Sequence, residues 1–541
     1  MRQSNDLVVL GGGLAGLTCA LHLRRNCPGL DIRVVERRAG PAPHATHKVG
    51  ESTVEIGAHY FGHVLGLEEH LQTAHVRKFG FRFFNSDGRS DIDAVQEIGV
   101  SRILSVPSYQ IDRGIFENFL LERARGLGIT VDTDSIIESV QISTGGAADA
   151  RHETLVRCGS QLRSVASRWI VDASGRAGLL KRSLRLDEAN SHEANAVWFR
   201  VPVRIDIEDW STDEKWLGRC GSGQRWRSTN HLVGDGYWVW LIPLSSGYHS
   251  VGIVVDAALH RLGSINTFER ALEWLGRHQP RLRKALVDAG ARPTDFSFLR
   301  NFSYGCRRNF SSDRWAITGE AGVFLDPFYS PGSDFIAIAN TFIVDLVARD
   351  FRGEAFGAYV AGYSNVFRSI YENTLTLYQG QYRIFGAPEV LATKVIWDYT
   401  YYWGILCQMF FQNRLTDLTT LGLVRETSTA AGVLNDAMQR FLRVWAAANT
   451  QRNEAHLLDQ AGLPWFDALN RSLLDTLDAA GFVARIRECG ERLERLAAEI
   501  VGRAMSDQPA IATWPEAMRI IALSRRQPTM DAELLRYPLS A

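Results

Sequence analysis

Gly11, Gly13 and Gly16, within the run Gly11-Gly12-Gly13-Leu14-Ala15-Gly16, strip a loop of side chains so that backbone N–H groups can approach a phosphate. Glu36 follows Gly16 by 36 − 16 = 20 positions, the separation at which a carboxylate can accept the hydroxyls of a ribose. Lys78 is a second centre of possible chemistry. With Phe79, Phe81, Phe83 and Phe84 around it the amine can be buried and made nucleophilic, whereas beside Arg77 it can be an ordinary solvated cation. Trp238 and Trp240 occupy alternate positions of a strand and so put two indoles on one face, as a steric barrier or simply as core. Phe324, Pro327, Ser330, Gly332 and Ser333 make a fourth group. Gly332 and Ser333 can offer N–H groups to an anion, helped by the positive end of a helix starting there, while Pro331 has no N–H to give.

The elements that must position these residues follow from local pattern. Leu7-Val8-Val9-Leu10 is a short apolar run of the kind a buried parallel strand shows, a helix is expected over 17–23, and a second strand over 32–36. In this strand–turn–helix–strand setting the glycines read as a dinucleotide site, although the motif does not separate FAD from NAD. Apolar strands over 169–175 and 315–322 repeat the design and carry Asp172 and Gly319-Glu320. Tyr109 to Arg113 leads into a helical pattern over 116–127, where Arg113 either contacts the cofactor or pairs with a neighbouring carboxylate. Alternating strands are expected over 196–205, 236–243 and 248–255, the last two joined by a hairpin at Ser245-Ser246-Gly247, and then a helical stretch over 265–286. Beyond about residue 353 the spacing predicts helices over 375–385, 390–412, 434–448 and 493–505. Tyr399, Tyr401, Tyr402, Trp403, Phe410 and Phe411 there form helix core or line an aromatic pocket.

These patterns place the chain in the α/β class. A Rossmann-like FAD-binding domain is expected from 1–180 and 300–352, an inserted antiparallel sheet and helix over 181–299 as active-site wall, and a helical C-terminal subdomain over 353–541. Sixty basic and sixty acidic residues leave no net charge, which argues against binding to nucleic acid or to an anionic membrane. Seven scattered cysteines without a C-x-x-C pair argue against a zinc site or a disulfide framework, and for a reducing cytosol. The polar stretch Met1 to Asp6 is unlike a signal peptide, and the apolar run 403–411 is too short to span a bilayer. A cytoplasmic, enzyme-sized protein without a metal is the expectation.

Taken together, the glycine loop, Trp238-Val239-Trp240-Leu241-Ile242-Pro243 and the Phe324 to Gly332 segment resemble the flavin-dependent halogenases, a branch of the single-component flavoprotein monooxygenases. Gly50-Glu51-Ser52 and Lys78-Phe79-Gly80-Phe81-Arg82-Phe83 are similar to two further segments of that family. The resemblance implies FAD as cofactor, with contacts from Gly11, Gly13, Leu14, Ala15, Gly16, Glu36, Arg113, Asp172, Gly319 and Glu320. It implies a halide, bromide or chloride, and a tunnel at Phe324, Pro327, Ser330, Gly332 and Ser333, with Trp238 and Trp240 keeping substrate off the flavin. Reduced flavin from a separate reductase, oxygen and halide would then make hypohalous acid, which Lys78 receives and delivers to an electron-rich aromatic ring. The acceptor can be free or tethered to a carrier protein, and a homodimer is compatible with the pattern.

Two departures bear on this. The glutamate that tryptophan halogenases place just before the motif serine is Tyr329 here, which points to a phenol, a pyrrole or another electron-rich ring, and Asp334 is the nearest carboxylate in the chain. No second nucleotide fingerprint for NAD(P)H is evident. An aromatic hydroxylase, a flavoprotein that modifies a partner protein and a non-catalytic flavin-binding or redox-sensing protein are the alternatives.

Overall fold

The computed structural model describes residues 2–45, 48–144, 151–221, 223–449, 456–529 and 534–535, without the side chains of residues 2 and 3; Met1 lies outside it. Contacts divide the chain into two compact units, one of residues 1–75, 111–190 and 303–371, the other of 76–110, 191–302 and 372–541.

The first unit is built on an eight-stranded sheet whose parallel core runs Trp315–Ile317, Gln161–Asp172, Arg2–Leu10, Ile32–Val35, Thr130–Asp132. Leu7, Val8, Val9 and Leu10 are fully buried in it, as a continuous apolar run requires. The strand begins earlier than that run. Arg2 to Asn5 pair with Ser164 to Ser167, so the polar opening is part of the sheet, and Asn5 Nδ2 donates to Asp31 at 2.8 Å. The helix after the glycines spans Leu14–Asn26, longer at both ends than its apolar core suggested. A second helix, Arg113–Gly126, starts where the Asp112 carboxylate accepts the N–H groups of Gly114 and Ile115. The helix Gly332–Phe351 is tied to the first through Asn340, whose amide donates to Thr18 Oγ1 at 3.2 Å and Tyr60 Oη at 3.1 Å.

The second unit carries another eight-stranded sheet, in the order Asp295–Leu299, Ala194–Val201, His249–Asp256, Tyr237–Pro243, Thr229–Gly234, Phe81–Asn85, Glu97–Gly99, Leu457–Asp459. The hairpin at Ser245-Ser246-Gly247 is present, with Gly247 at φ +86° where the turn needs it. Phe81–Asn85, Glu97–Gly99 and Leu457–Asp459 enter the sheet from far away in the chain, through parallel pairing at Thr229–Gly234 and Glu97–Gly99. One face of this sheet buries Val197, Phe199, Leu232, Val239, Leu241, Val251 and Ile253 against Trp274 and Leu275. Those two belong to Phe268–His278; Pro280 starts a separate helix, Pro280–Asp288, because it has no N–H to continue the first.

The C-terminal helices are longer and differently cut than their apolar spacing predicts. The expected helix over 375–385 is absent: Gly357–Leu375 ends there, Gly380 turns the chain at φ +66°, and Tyr382–Gly386 is only a short 3-10 turn. Pro388–Tyr401 then runs through a wider π turn, Tyr402–Cys407, into Gln408–Phe411. Leu418–Ala448 and Ala479–Asp507 are capped by the Asp417 and Asp478 carboxylates. Gly404 leaves room for the second of these, since a Cβ there would meet Cys489 Cβ at 3.2 Å. Among the described residues no helix is long and apolar enough to cross a membrane.

Candidate active site

In the first unit the chain builds a nucleotide cradle. Gly11 sits at φ +109°, and a Cβ there would lie 2.5 Å from the Ala173 carbonyl; one on Gly16 would lie 1.9 Å from the Gly11 carbonyl. A Cβ on Gly13 would meet only Lys48 Nζ, at an ordinary contact distance of 3.6 Å. Leu14 and Ala15 begin the helix with no side chain capping its N-terminus, which leaves its first N–H groups for a phosphate. The Glu36 carboxylate accepts from Gly12 N at 2.7 Å and Arg38 N at 2.8 Å, which fixes it beside the loop. Gly319, at φ +61°, comes close enough to the loop helix that a Cβ would meet Ala15 Cβ at 2.8 Å, and so brings Glu320 to the same edge. Glu320 is only loosely paired, 3.8 Å from Arg176 Nη1.

Two expected cofactor contacts are occupied by protein partners. Asp172 is fully buried, and its carboxylate accepts Ser174 N at 2.9 Å and Leu180 N at 2.7 Å; burial pushes its pKa up. Arg113 pairs with Glu117 and donates to the Val49 carbonyl at 2.6 Å. Burial alone would raise Glu117, but Arg113 and Lys48 hold it down to about 2. Of the two sequence alternatives for Arg113, the carboxylate pairing is the one seen.

The same unit contains the fourth motif. Phe324 bridges to Tyr304 through two backbone hydrogen bonds, at 2.9 and 3.0 Å. Pro327 opens a 3-10 turn held by Asp326, and Ser330 then takes a left-handed φ of +51°, unusual for a residue with a Cβ. The turn delivers Gly332 and Ser333 to the first positions of a 20-residue helix that has no side-chain cap. Ser333 Oγ is buried without a hydrogen-bond partner among the described residues. Unclaimed N–H groups and a buried hydroxyl at the positive end of a long helix suit a small anion. Asp334 is committed elsewhere, accepting Gly57 N at 2.8 Å.

In the second unit Lys78 is 3% exposed, and its Nζ lies 3.3 Å from the centroid of the Phe81 ring, a cation–π contact and not a solvated position. Its backbone is held from both sides. Lys78 N donates to Ser108 O at 2.9 Å, and Phe79 exchanges bonds with Arg227 O at 3.2 Å and Ser228 Oγ at 2.9 Å. Behind this segment Arg82, Glu97 and Arg225 form a buried ion cluster, with Arg225 Nε 2.9 Å from Glu97 Oε1. Burial alone would raise the Glu97 pKa; the two guanidinium groups bring it down.

Lys78 borders the sheet face opposite the apolar core. Phe81, Phe83, His231, Trp238 and Trp240 share that face. The two indoles are 5.7 Å apart; Trp238 Nε1 donates to Tyr382 Oη and Trp240 Nε1 to Ser250 Oγ, both at 3.2 Å. Gly252 admits the second indole, since a Cβ would come within 2.1 Å of it. Tyr399 joins the face at Phe81, ring centroids 6.3 Å apart, and continues to Trp403 at 4.7 Å. Sequence reasoning missed His231, Tyr382, Gly252 and the ion cluster. For His231 a signal existed, since Thr229 to Gly234 lies just before the two tryptophans and reads as the preceding hairpin strand.

Comparisons with known proteins bear on the family and the fold. A Rossmann-like NAD(P)-binding family model matches residues 9–75, and the tryptophan halogenase model matches residues 96–384. The chain is 23% identical over 487 residues to the flavin-dependent halogenase chlA of Dictyostelium discoideum, covering 80% of this chain and 78% of that one. It is 27% identical over 427 residues to a 1H-pyrrole-2-carbonyl-[peptidyl-carrier protein] chlorinase of Pseudomonas fluorescens, covering 74% and 88%. Among solved structures, the halogenase PltM in complex with phloroglucinol and FAD superposes with a TM-score of 0.64 at 17% identity, over 91% of this chain and 96% of that one.

Proposed function

We propose that this chain, which belongs to the tryptophan halogenase family and is a flavin-dependent halogenase, binds FAD in the glycine cradle and halogenates an electron-rich aromatic ring through Lys78. The observation that carries the lysine's role is its burial against the Phe81 ring, at the border of an aromatic face with two indoles. Bound FAD, reduced by a separate flavin reductase, supplies oxygen activation and halide oxidation. The protein's own residues do the rest. Gly11 to Gly16 and Gly319 shape the cradle, and the carboxylates of Glu36 and Glu320 lie at its edge as hydrogen-bond acceptors for the cofactor's hydroxyls.

Gly332 N, Ser333 N and Ser333 Oγ are the donors proposed for bromide or chloride. Trp238 and Trp240 are proposed as the steric barrier that keeps the aromatic substrate off the flavin. Lys78 meets the hypohalous acid, and its ammonium hydrogen-bonds and polarises the acid for transfer to a ring carbon. The apolar walls keep water from consuming the oxidant. Tyr329 in place of the glutamate favours a phenol or pyrrole over tryptophan. The chlorinase from Pseudomonas fluorescens takes a pyrrole on a carrier protein, so a tethered ring belongs among the candidates.

The test is mass spectrometry of a panel of phenols, pyrroles and indoles, free and carrier-bound, with FAD, a flavin reductase, NADH, oxygen and bromide or chloride. A halogen isotope pattern that requires both halide and reductase is the expected result. Hydroxylated product without halide would instead make the protein an aromatic hydroxylase.

A further inference from the structure

Electrophilic halogenation leaves a carbon that bears both hydrogen and halogen, and the ring regains aromaticity only when that proton is removed. In this chain the motif position that carries a glutamate in tryptophan halogenases is Tyr329, and Asp334 is bonded to Gly57 N. Phe81, Phe83, Trp238 and Trp240 offer no basic atom. While Lys78 donates its protons to the oxidant it has no lone pair to spare.

His231 stands on the same sheet face. It is 1% exposed, and its ring centroid lies 4.8 Å from Phe83 in a stacked pair, 5.4 Å from Phe81 and 5.3 Å from Trp238. Phe81 is the ring on which Lys78 Nζ rests at 3.3 Å, so one phenyl group touches both nitrogen side chains. A neutral imidazole has one acceptor nitrogen. The faces of Phe83 and Trp238 would stabilise the imidazolium that forms, as Phe81 stabilises the ammonium of Lys78.

From this juxtaposition we propose that His231 is a further catalytic residue, the base that takes the ring proton; the inference rests on the halogenase reading given above. In the step, the O–X bond of hypohalous acid breaks, the ring's π electrons form the C–X bond, and hydroxide leaves. The C–H electron pair returns to the ring as its proton moves to the imidazole. The imidazolium then passes that proton to the hydroxide, giving water and a neutral histidine. Hypohalous acid and ArH thus become ArX and water, with no further oxidant or reductant.

The experiment uses the full-length protein with FAD, flavin reductase, NADH, oxygen and bromide, and resorcinol carrying either protium or deuterium on its ring carbons as probe. Wild type, His231→Asn and His231→Phe are compared by brominated product per oxygen consumed and by the effect of ring deuterium. General-base catalysis contributes on the order of 10²-fold or more. Product per oxygen is therefore expected to fall about 10²-fold in both variants, and a primary isotope effect absent from wild type is expected to appear. Wild-type yields in both variants would overturn the proposal. So would a loss of product without an isotope effect, which would make His231 a wall residue only. If His231→Phe does not fold, the smaller His231→Asn still decides. Hypobromous acid trapped from wild type with no brominated resorcinol would overturn the assignment of a ring base on this face. No bromide oxidised by wild type, as read with a chemical trap for hypobromous acid, would instead overturn the halogenase reading.

Discussion

The glycine loop is where a single atom matters most. A methyl group on Gly16 would sit 1.9 Å from a backbone carbonyl that has no room to move, since Gly11 N is itself bonded to Val35 O at 2.9 Å. Gly16→Ala is therefore expected to abolish FAD retention, measured by flavin absorbance after gel filtration; retention equal to wild type would contradict the cradle. At this scale much was legible, because glycine spacing and alternate tryptophans are statements about sterics that sequence writes directly. The proposed roles of Arg113 and Asp172 were harder to read. Whether a charged side chain faces a ligand or a neighbouring protein group depends on what folds beside it: Glu117 is one helical turn from Arg113, and Leu180 lies eight positions beyond Asp172. His231 went unremarked because Thr229 to Gly234 was not read as the strand paired with the two tryptophans.

Among the elements, the segment carrying Lys78 is held by strands rather than by its own structure. Val76–Arg77 pairs with Tyr109–Gln110, while Phe81–Asn85 lies parallel to Thr229–Gly234. The Arg82–Glu97–Arg225 cluster locks that parallel pair at one end. Removing one partner of a buried ion cluster leaves unpaired buried charge and costs about 3–5 kcal/mol. Glu97→Ala is accordingly expected to lower the urea midpoint sharply, and a variant as stable as wild type would show that the cluster does not hold the segment. The sheet's middle strands were legible from alternation. Its outer strands were not, because Glu97–Gly99 and Leu457–Asp459 are three residues each and pair across some 360 positions of chain. The 375–385 helix failed for the opposite reason: apolar spacing there continues past Gly380, whose left-handed backbone ends helical continuity.

For the molecule as a whole, stability should depend on pH through histidines buried in their neutral form. Burial, with Arg25 as the lesser cause, lowers the His22 pKa from its ordinary 6.5 to about 4. Burial also lowers His59 to about 4, and His75 and His249 to about 3. Between pH 6.5 and these values the unfolded chain binds protons that the folded chain does not, so stability falls as pH falls through that window. Unfolding free energies from urea titrations at pH 7 and pH 5 should differ by a loss on the order of a few kcal/mol at pH 5, seen as a lower midpoint. An unchanged or higher midpoint at pH 5 would mean that these rings are protonated in the fold. The α/β class was readable from the order of apolar runs, whereas the grouping of residues 76–110 with 191–302 and 372–541 depends on long-range strand pairing that no local pattern encodes.

The claim on which the account turns is that Lys78 hands the oxidised halogen to an aromatic ring. It is tested most directly by Lys78→Ala beside wild type, each saturated with FAD and supplied with reductase, NADH, oxygen and bromide, with halogenated product followed by mass spectrometry. The account predicts that the variant still holds FAD and consumes oxygen while halogenated product falls by about 10²-fold or more. Halogenated product at the wild-type rate would contradict it.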